Sequence, residues 1–156
     1  MHVTKRRARS NFGFSMIEVL VTILLISVAL LGVAKMQAAA VANTQIARVR
    51  SLIAIQASSL ASSMHGNPAY WAAGLAPATF SAAGATVTDG TGVLTAAADC
   101  VSAACSPAQL AAYDVQNWAS NLNAQFPSYT ATVNCTVVVG TPVSCNINVF
   151  WAEKYI

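Results

Sequence analysis

The chain has 156 residues, enough for one modest domain, and is 56% hydrophobic but only 8% charged. A wholly soluble domain is seldom so poor in charge, so part of the chain is expected in a membrane. The formal charge of +3 does not imply a nucleic-acid partner: Lys5, Arg6, Arg7 and Arg9 crowd the first ten residues, and beyond them Lys35, Arg48, Arg50 and Lys154 face Glu18, Asp89, Asp99, Asp114 and Glu153, four minus five, a net of −1.

After the basic leader, residues 14–34 read FSMIEVLVTILLISVALLGVA. As a helix, at ~1.5 Å per residue, this run spans about 30 Å, the thickness of a bilayer core. The basic flank predicts a cytoplasmic N-terminus, with everything beyond Lys35 on the far side and the Lys35 ammonium snorkelling to the interface. Glu18 interrupts the run. An unpaired carboxylate in a membrane helix costs about 2–3 kcal/mol, so it calls for a partner, and the segment has no cation of its own beyond the leader. An ordinary secretory signal ending at Ala40-Val41-Ala42 is the rival reading, but the apolar run exceeds the roughly 7–15 residues of such a signal and Glu18 stays unexplained.

The stretch Gly13-Phe14-Ser15-Met16-Ile17-Glu18-Val19-Leu20-Val21 resembles the processing motif of type IV pilins and pseudopilins. Basic leader, Gly, Glu and apolar run coincide, with Ser15 and Met16 in place of the commoner Thr and Leu. The resemblance implies cleavage by a prepilin peptidase between Gly13 and Phe14 and N-methylation of Phe14. Gly13 lets an enzyme approach the peptide closely. Cleavage creates an ammonium at Phe14, and Glu18 of an incoming subunit can pair with it, a contact that in low dielectric guides register.

No Pro or Gly occurs between Val33 and His65, and good helix formers dominate. Ile46, Val49, Ile53, Ala57, Leu60 and Met64 make one apolar stripe, read as core. Arg48, Arg50, Ser51, Ser58, Ser59 and Ser62 lie largely off it, the arginines as a solvated face or as contacts to acidic groups on neighbouring subunits. His65-Gly66-Asn67-Pro68 predicts the stop, with Gly left-handed and Pro unable to continue. One helix from about Phe14 to Met64 results, a membrane half (14–34) and an amphipathic half (35–64), similar to the pilin spine. The Pro that many major pilins carry near the position of Lys35 is missing.

In the head, residues 65–156, Tyr70 and Trp71 either pack over the helix end or form a contact patch, packing being the simpler reading. Val87-Thr88 and Val93-Leu94-Thr95 predict a short hairpin around Asp89-Gly90. Ser106-Pro107-Ala108-Gln109 is a helix start, with Ser as N-cap, Pro in the first turn and Gln at the capping-box position. That helix is predicted over 107–125, with Ala111, Val115, Trp118 and Leu122 on one face. Two alternating runs then predict an antiparallel hairpin over about 129–152. Placing Val137 opposite Val143 also sets Cys135 opposite Cys145, Val133 opposite Ile147, Ala131 opposite Val149 and Tyr129 opposite Trp151, so that apolar meets apolar. Four cysteines beyond the apolar run fit an oxidising compartment. They allow three pairings, of which Cys100–Cys105 and Cys135–Cys145 are favoured; a zinc site is the rival, without CxxC spacing.

The expected fold class is α+β and type IV pilin-like, a long N-terminal helix packed on a small antiparallel sheet. Ala61 to Tyr70, Cys100 to Leu122 and Asn148-Val149-Phe150-Trp151 make the head similar to the type IV pilus modification (PilV) group of minor pilins. That resemblance implies a structural and assembly protein of the inner membrane, single-pass with a periplasmic head, that primes pilus growth. Its partners would be the prepilin peptidase, other minor pilins, the major pilin, the inner-membrane assembly platform and a tip-associated adhesin. A type II secretion pseudopilin shares the spine and is the close alternative. A DNA-uptake module would need a basic patch, for which only Arg48, Arg50 and Lys154 remain. No catalytic constellation, cofactor or metal cluster can be argued from the spacing: His65 is the one histidine after Gly13, and Asp89, Asp99 and Asp114 read as turn, loop and helix-face residues.

Overall fold

The computed structural model describes residues 13–136 and 143–152. The basic leader and the Val137–Val143 pairing at the hairpin tip fall wholly or partly outside them. The described elements are α1 (Met16–Gly66), α2 (Pro68–Trp71), β1 (Thr79–Ala83), β2 (Thr86–Asp89), α3 (Pro107–Gln125), β3 (Thr130–Cys135) and β4 (Cys145–Phe150). The strands form one antiparallel sheet in the order β2-β1-β3-β4. The fold is α+β and type IV pilin-like. It divides into two units, one ending at Thr44 and one starting at Gln45.

In the first unit α1 is apolar and exposed all round from Met16 to Val41. Its few hydroxyls are satisfied within the helix: Thr22 Oγ1 donates to the Val19 carbonyl (2.8 Å), Ser27 Oγ to Ile23 (2.7 Å) and Thr44 Oγ1 to Ala40 (2.8 Å). A helix in hydrocarbon requires that economy, since no water is present to take an orphan donor.

In the second unit one face of α1 is covered. Ile53, Leu60 and Met64 are buried and Ile46, Val49 and Ala57 half-buried, while Arg48, Arg50, Ser51, Ser58, Ser59 and Ser62 are exposed. Leu60 and Met64 share a core with Trp71, Phe80, Val115, Leu122 and Val133, and full burial of a side chain such as Leu60 contributes about 1.5–3 kcal/mol. Trp118 of α3 adds a directional tie, its Nε1 donating to the Gln56 carbonyl of α1 (2.9 Å).

α1 does not stop on a left-handed glycine. Gly66 is its last residue and is not among the positive-φ glycines. The break falls at Asn67 (φ −123°, ψ 63°), and Pro68 opens α2, because a proline disfavours the helical region for the residue before it while suiting a first helical position. Asn67 is buried and its Nδ2 donates to the Pro107 carbonyl (2.7 Å), tying α2 to the start of α3. Tyr70 and Trp71 are buried, edge to face at 5.1 Å, with Phe80 beyond. They pack and are not an exposed patch.

The first hairpin sits one turn earlier than the sequence suggests. β1 and β2 meet at Ala83 and Thr86, leaving Gly84 (φ +59°) and Ala85 as a two-residue turn. Glycine with positive φ at the first turn position is the type II′ pattern that matches strand twist. Val93-Leu94-Thr95 is no strand. Asp89 takes that role from it: its carboxylate accepts from the Thr91 (2.7 Å), Gly92 and Leu94 (2.6 Å) amides and bends the chain so that Leu94 plugs into the core.

α3 begins with a capping box. Ser106 Oγ accepts from Gln109 N (3.4 Å) and Gln109 Oε1 accepts from Ser106 N (2.9 Å). Ala111, Ala112, Val115, Trp118, Ala119 and Leu122 form its buried face. β3 and β4 pair from Thr130↔Phe150 to Cys135↔Cys145, with Ala131 opposite Val149 and Val133 opposite Ile147. The ladder ends at Thr130 and Phe150, one residue short of Tyr129 and Trp151; the Tyr129 amide donates to the Phe126 carbonyl (3.1 Å) and its hydroxyl to Ala119 O (3.1 Å).

Candidate processing and assembly site

Gly13, Phe14 and Ser15 precede the helix, and α1 starts at Met16. The Glu18 and Val19 amides donate to the Ser15 carbonyl (3.0 and 3.3 Å), which puts Ser15 at the N-cap. Phe14 is 83% exposed. The Gly13–Phe14 bond therefore lies in accessible, non-helical chain directly before a helix. A protease needs that, since helical peptide cannot extend into an active-site cleft. A Cβ on Gly13 would meet no heavy atom within 4 Å, and its φ is not in the left-handed region. Nothing among the described residues demands glycine there, which leaves the processing enzyme as the source of such a demand.

Glu18 stands at the third helical position and is exposed. The first turn of a helix carries unsatisfied N–H groups and the positive end of the macrodipole, which favour a carboxylate there. Ser15-x-x-Glu18 has the spacing of a capping box, a signal that a reading centred on membrane cost passes over. Glu18 thus has a local reason for its place in addition to any partner on another chain.

The other acids among the described residues, Asp89, Asp99 and Asp114, lie in the head. Burial pushes the Asp89 carboxyl up, but the amides of Leu94, Gly92 and Thr91 and the Thr91 hydroxyl outweigh it and hold the group below its ordinary value. Asp99 is held below its ordinary value by the Ser102 hydroxyl first, then by the Val101 and Ser102 amides. Asp114, half-buried on α3, is raised by burial. Tyr70, its hydroxyl buried with no hydrogen-bond partner among the described residues, is raised by burial and then by the Asp89 charge. The four thiols are consumed in two disulfides, Cys100–Cys105 and Cys135–Cys145, with Cα separations of 5.4 and 4.0 Å. His65 is exposed at the end of α1.

Comparison with known families decides what the Gly13–Glu18 segment is: residues 8–34 match the family described as the prokaryotic N-terminal methylation motif. The N-terminus is prepilin-like. No curated protein and no solved structure matches the chain. The prepilin-like motif implies processing by a prepilin peptidase and association with pilin-type subunits, so the chain is read as a pilin or pseudopilin. The motif covers the start of α1, the one helix among the described residues long and apolar enough to cross a membrane. Together they point to a membrane anchor.

Proposed function

We propose that the chain is a minor pilin that helps prime assembly of a type IV pilus and is incorporated in it. The observation that carries this reading is the prepilin-like junction at Gly13 and Phe14, with Glu18 in the first turn of a helix exposed along its apolar length. Prepilin peptidase removes the leader and the Phe14 amine is methylated. The helix is held in the inner membrane with the head in the periplasm, a side consistent with two disulfides. Glu18 then meets the Phe14 ammonium of a neighbouring subunit as the helix enters the filament. Partners on this reading are other minor pilins, the major pilin, the assembly platform and a tip-associated adhesin. The role is assembly and not catalysis.

The resemblance of the head to the pilus modification group favours a pilin over a pseudopilin. Deleting the gene is expected to reduce surface pili while type II secretion continues. Loss of secretion with normal piliation would overturn the reading in favour of a pseudopilin.

A further inference from the structure

The sheet has two edges, and they differ. β2 is short, four residues, and ends in Asp89, whose carboxylate folds the chain away. Short strands and charge are ordinary means of blunting an edge. β4 has neither: six residues, paired without a bulge, and no charged residue, Pro or Gly from Cys145 to Trp151.

The main-chain groups on that edge follow from the ladder. Thr136 N donates to Ser144 O (2.9 Å), whereas Cys135 N donates away, to Ala78 O (2.8 Å). Cys135 and Cys145 are therefore a non-hydrogen-bonded pair, and alternation gives the same status to Val133–Ile147 and Ala131–Val149. So Asn146, Asn148 and Phe150 spend their amides and carbonyls on β3, while Cys145, Ile147 and Val149 point theirs outward. Among the described residues no strand pairs there.

The core is also thin on this side. On β3, Ala131, Val133 and Cys135 are buried, but their neighbours Val149, Ile147 and Cys145 are only half-buried. An added strand would satisfy the open main chain and lay apolar side chains beside these three.

We propose that the outer edge of β4 is a dimerisation surface, on which β4 of a second copy of this chain pairs antiparallel and joins the two sheets into one. The sequence of β4 is self-complementary in the required register. The outward groups belong to odd positions, so odd residues must face odd ones, and a two-fold axis at Ile147, in the middle of β4, meets that requirement and keeps Cys145 to Val149 paired. Ile147 then faces Ile147, Cys145 faces Val149 and Val143 faces Trp151 on the inner side. Asn146 faces Asn148 on the outer side, where amides can exchange hydrogen bonds. A neutral strand does not repel its own copy, which favours a second copy over a charged partner segment.

The test uses the mature full-length chain in mild detergent, with mass measured by sedimentation. Two variants change only exposed side chains of β4: Asn146→Lys with Asn148→Lys, and Asn146→Glu with Asn148→Glu. Each sets like charges opposite each other twice across the interface. Each is expected to raise the dimer dissociation constant at least about tenfold, and mixing the two variants should restore a mixed dimer. Intact disulfides and an unchanged circular dichroism spectrum show that the monomer fold survives. A wild-type chain monomeric to about 100 μM, far weaker than a micromolar contact, overturns the proposal. So does a dimer that both variants leave intact, which would place association on the apolar part of α1, and so does mixing without recovery.

Discussion

Glu18 answers to two environments, the first turn of its own helix and the membrane. Replacing it by alanine removes a charge that costs insertion energy, so Glu18→Ala is expected to insert at least as well as the wild type. Under the proposed function it also removes the partner of the Phe14 ammonium, so pilus incorporation should fall sharply. Fractionation and surface-pilus yield measure the two separately, and normal piliation of the variant would refute the pairing. Asp89 lends itself to a pH experiment. A carboxyl held below its unfolded value stabilises the fold above that value, and the contribution fades as pH falls through the folded one. Asp114, raised by burial, has the opposite sign: it disfavours the fold once pH rises through the carboxylate range. Asp89→Asn should therefore lower the melting temperature at neutral pH, with a difference from wild type that narrows in acid, while Asp114→Asn should raise it at neutral pH.

At the scale of elements, α3 rests on a cap that touches no site. Ser106→Ala leaves the Gln109 amide unpaired and is expected to cost about 1 kcal/mol, read as a drop of a few degrees in melting temperature with function retained. This helix was plain in the sequence because its cap and its apolar spacing are both local signals. The alternation in β3 and β4 was equally local, and register followed from matching apolar faces. Of the β1–β2 hairpin only the Val87-Thr88 strand was legible. Ser81-Ala82-Ala83 lacks the β-branched side chains that mark a strand, and Gly84-Ala85 is a poor advertisement for a turn beside Asp89-Gly90 just downstream. Asp89-Gly90 has turn chemistry, but it folds a loop and not a hairpin. Of the two signals at the end of α1, Pro68 acts, through its restriction of Asn67, whereas Gly66 stays out of the left-handed region. Of the candidate site, Gly13, Phe14 and Glu18 were legible because a processing motif is linear. The open edge of β4 was not, since it depends on strand order.

For the whole molecule, processing sets the identity of the mature N-terminus. Mass spectrometry of the membrane-extracted chain should find it at Phe14 with a methylated amine, whereas a start at Asn43 would establish signal-peptidase cleavage. Because the fold leaves open space at Gly13, a bulky residue there should block processing without unfolding the head. The head itself is fastened in a lopsided way. Asn67, Trp118, Gln116 and Tyr129 are donors, and each ends on a main-chain carbonyl, of Pro107, Gln56, Leu94 with Ala96, and Ala119 respectively. Every residue owns a carbonyl, so the receiving position can change its side chain and keep the bond. Trp118→Phe should therefore destabilise the head by about 1 kcal/mol or more through the lost hydrogen bond, whereas Gln56→Ala should leave that bond in place. Over generations, sequence drift should run freely at half-exposed receivers such as Gln56 and be halted at the four donors, an inheritance written on one side of each contact only.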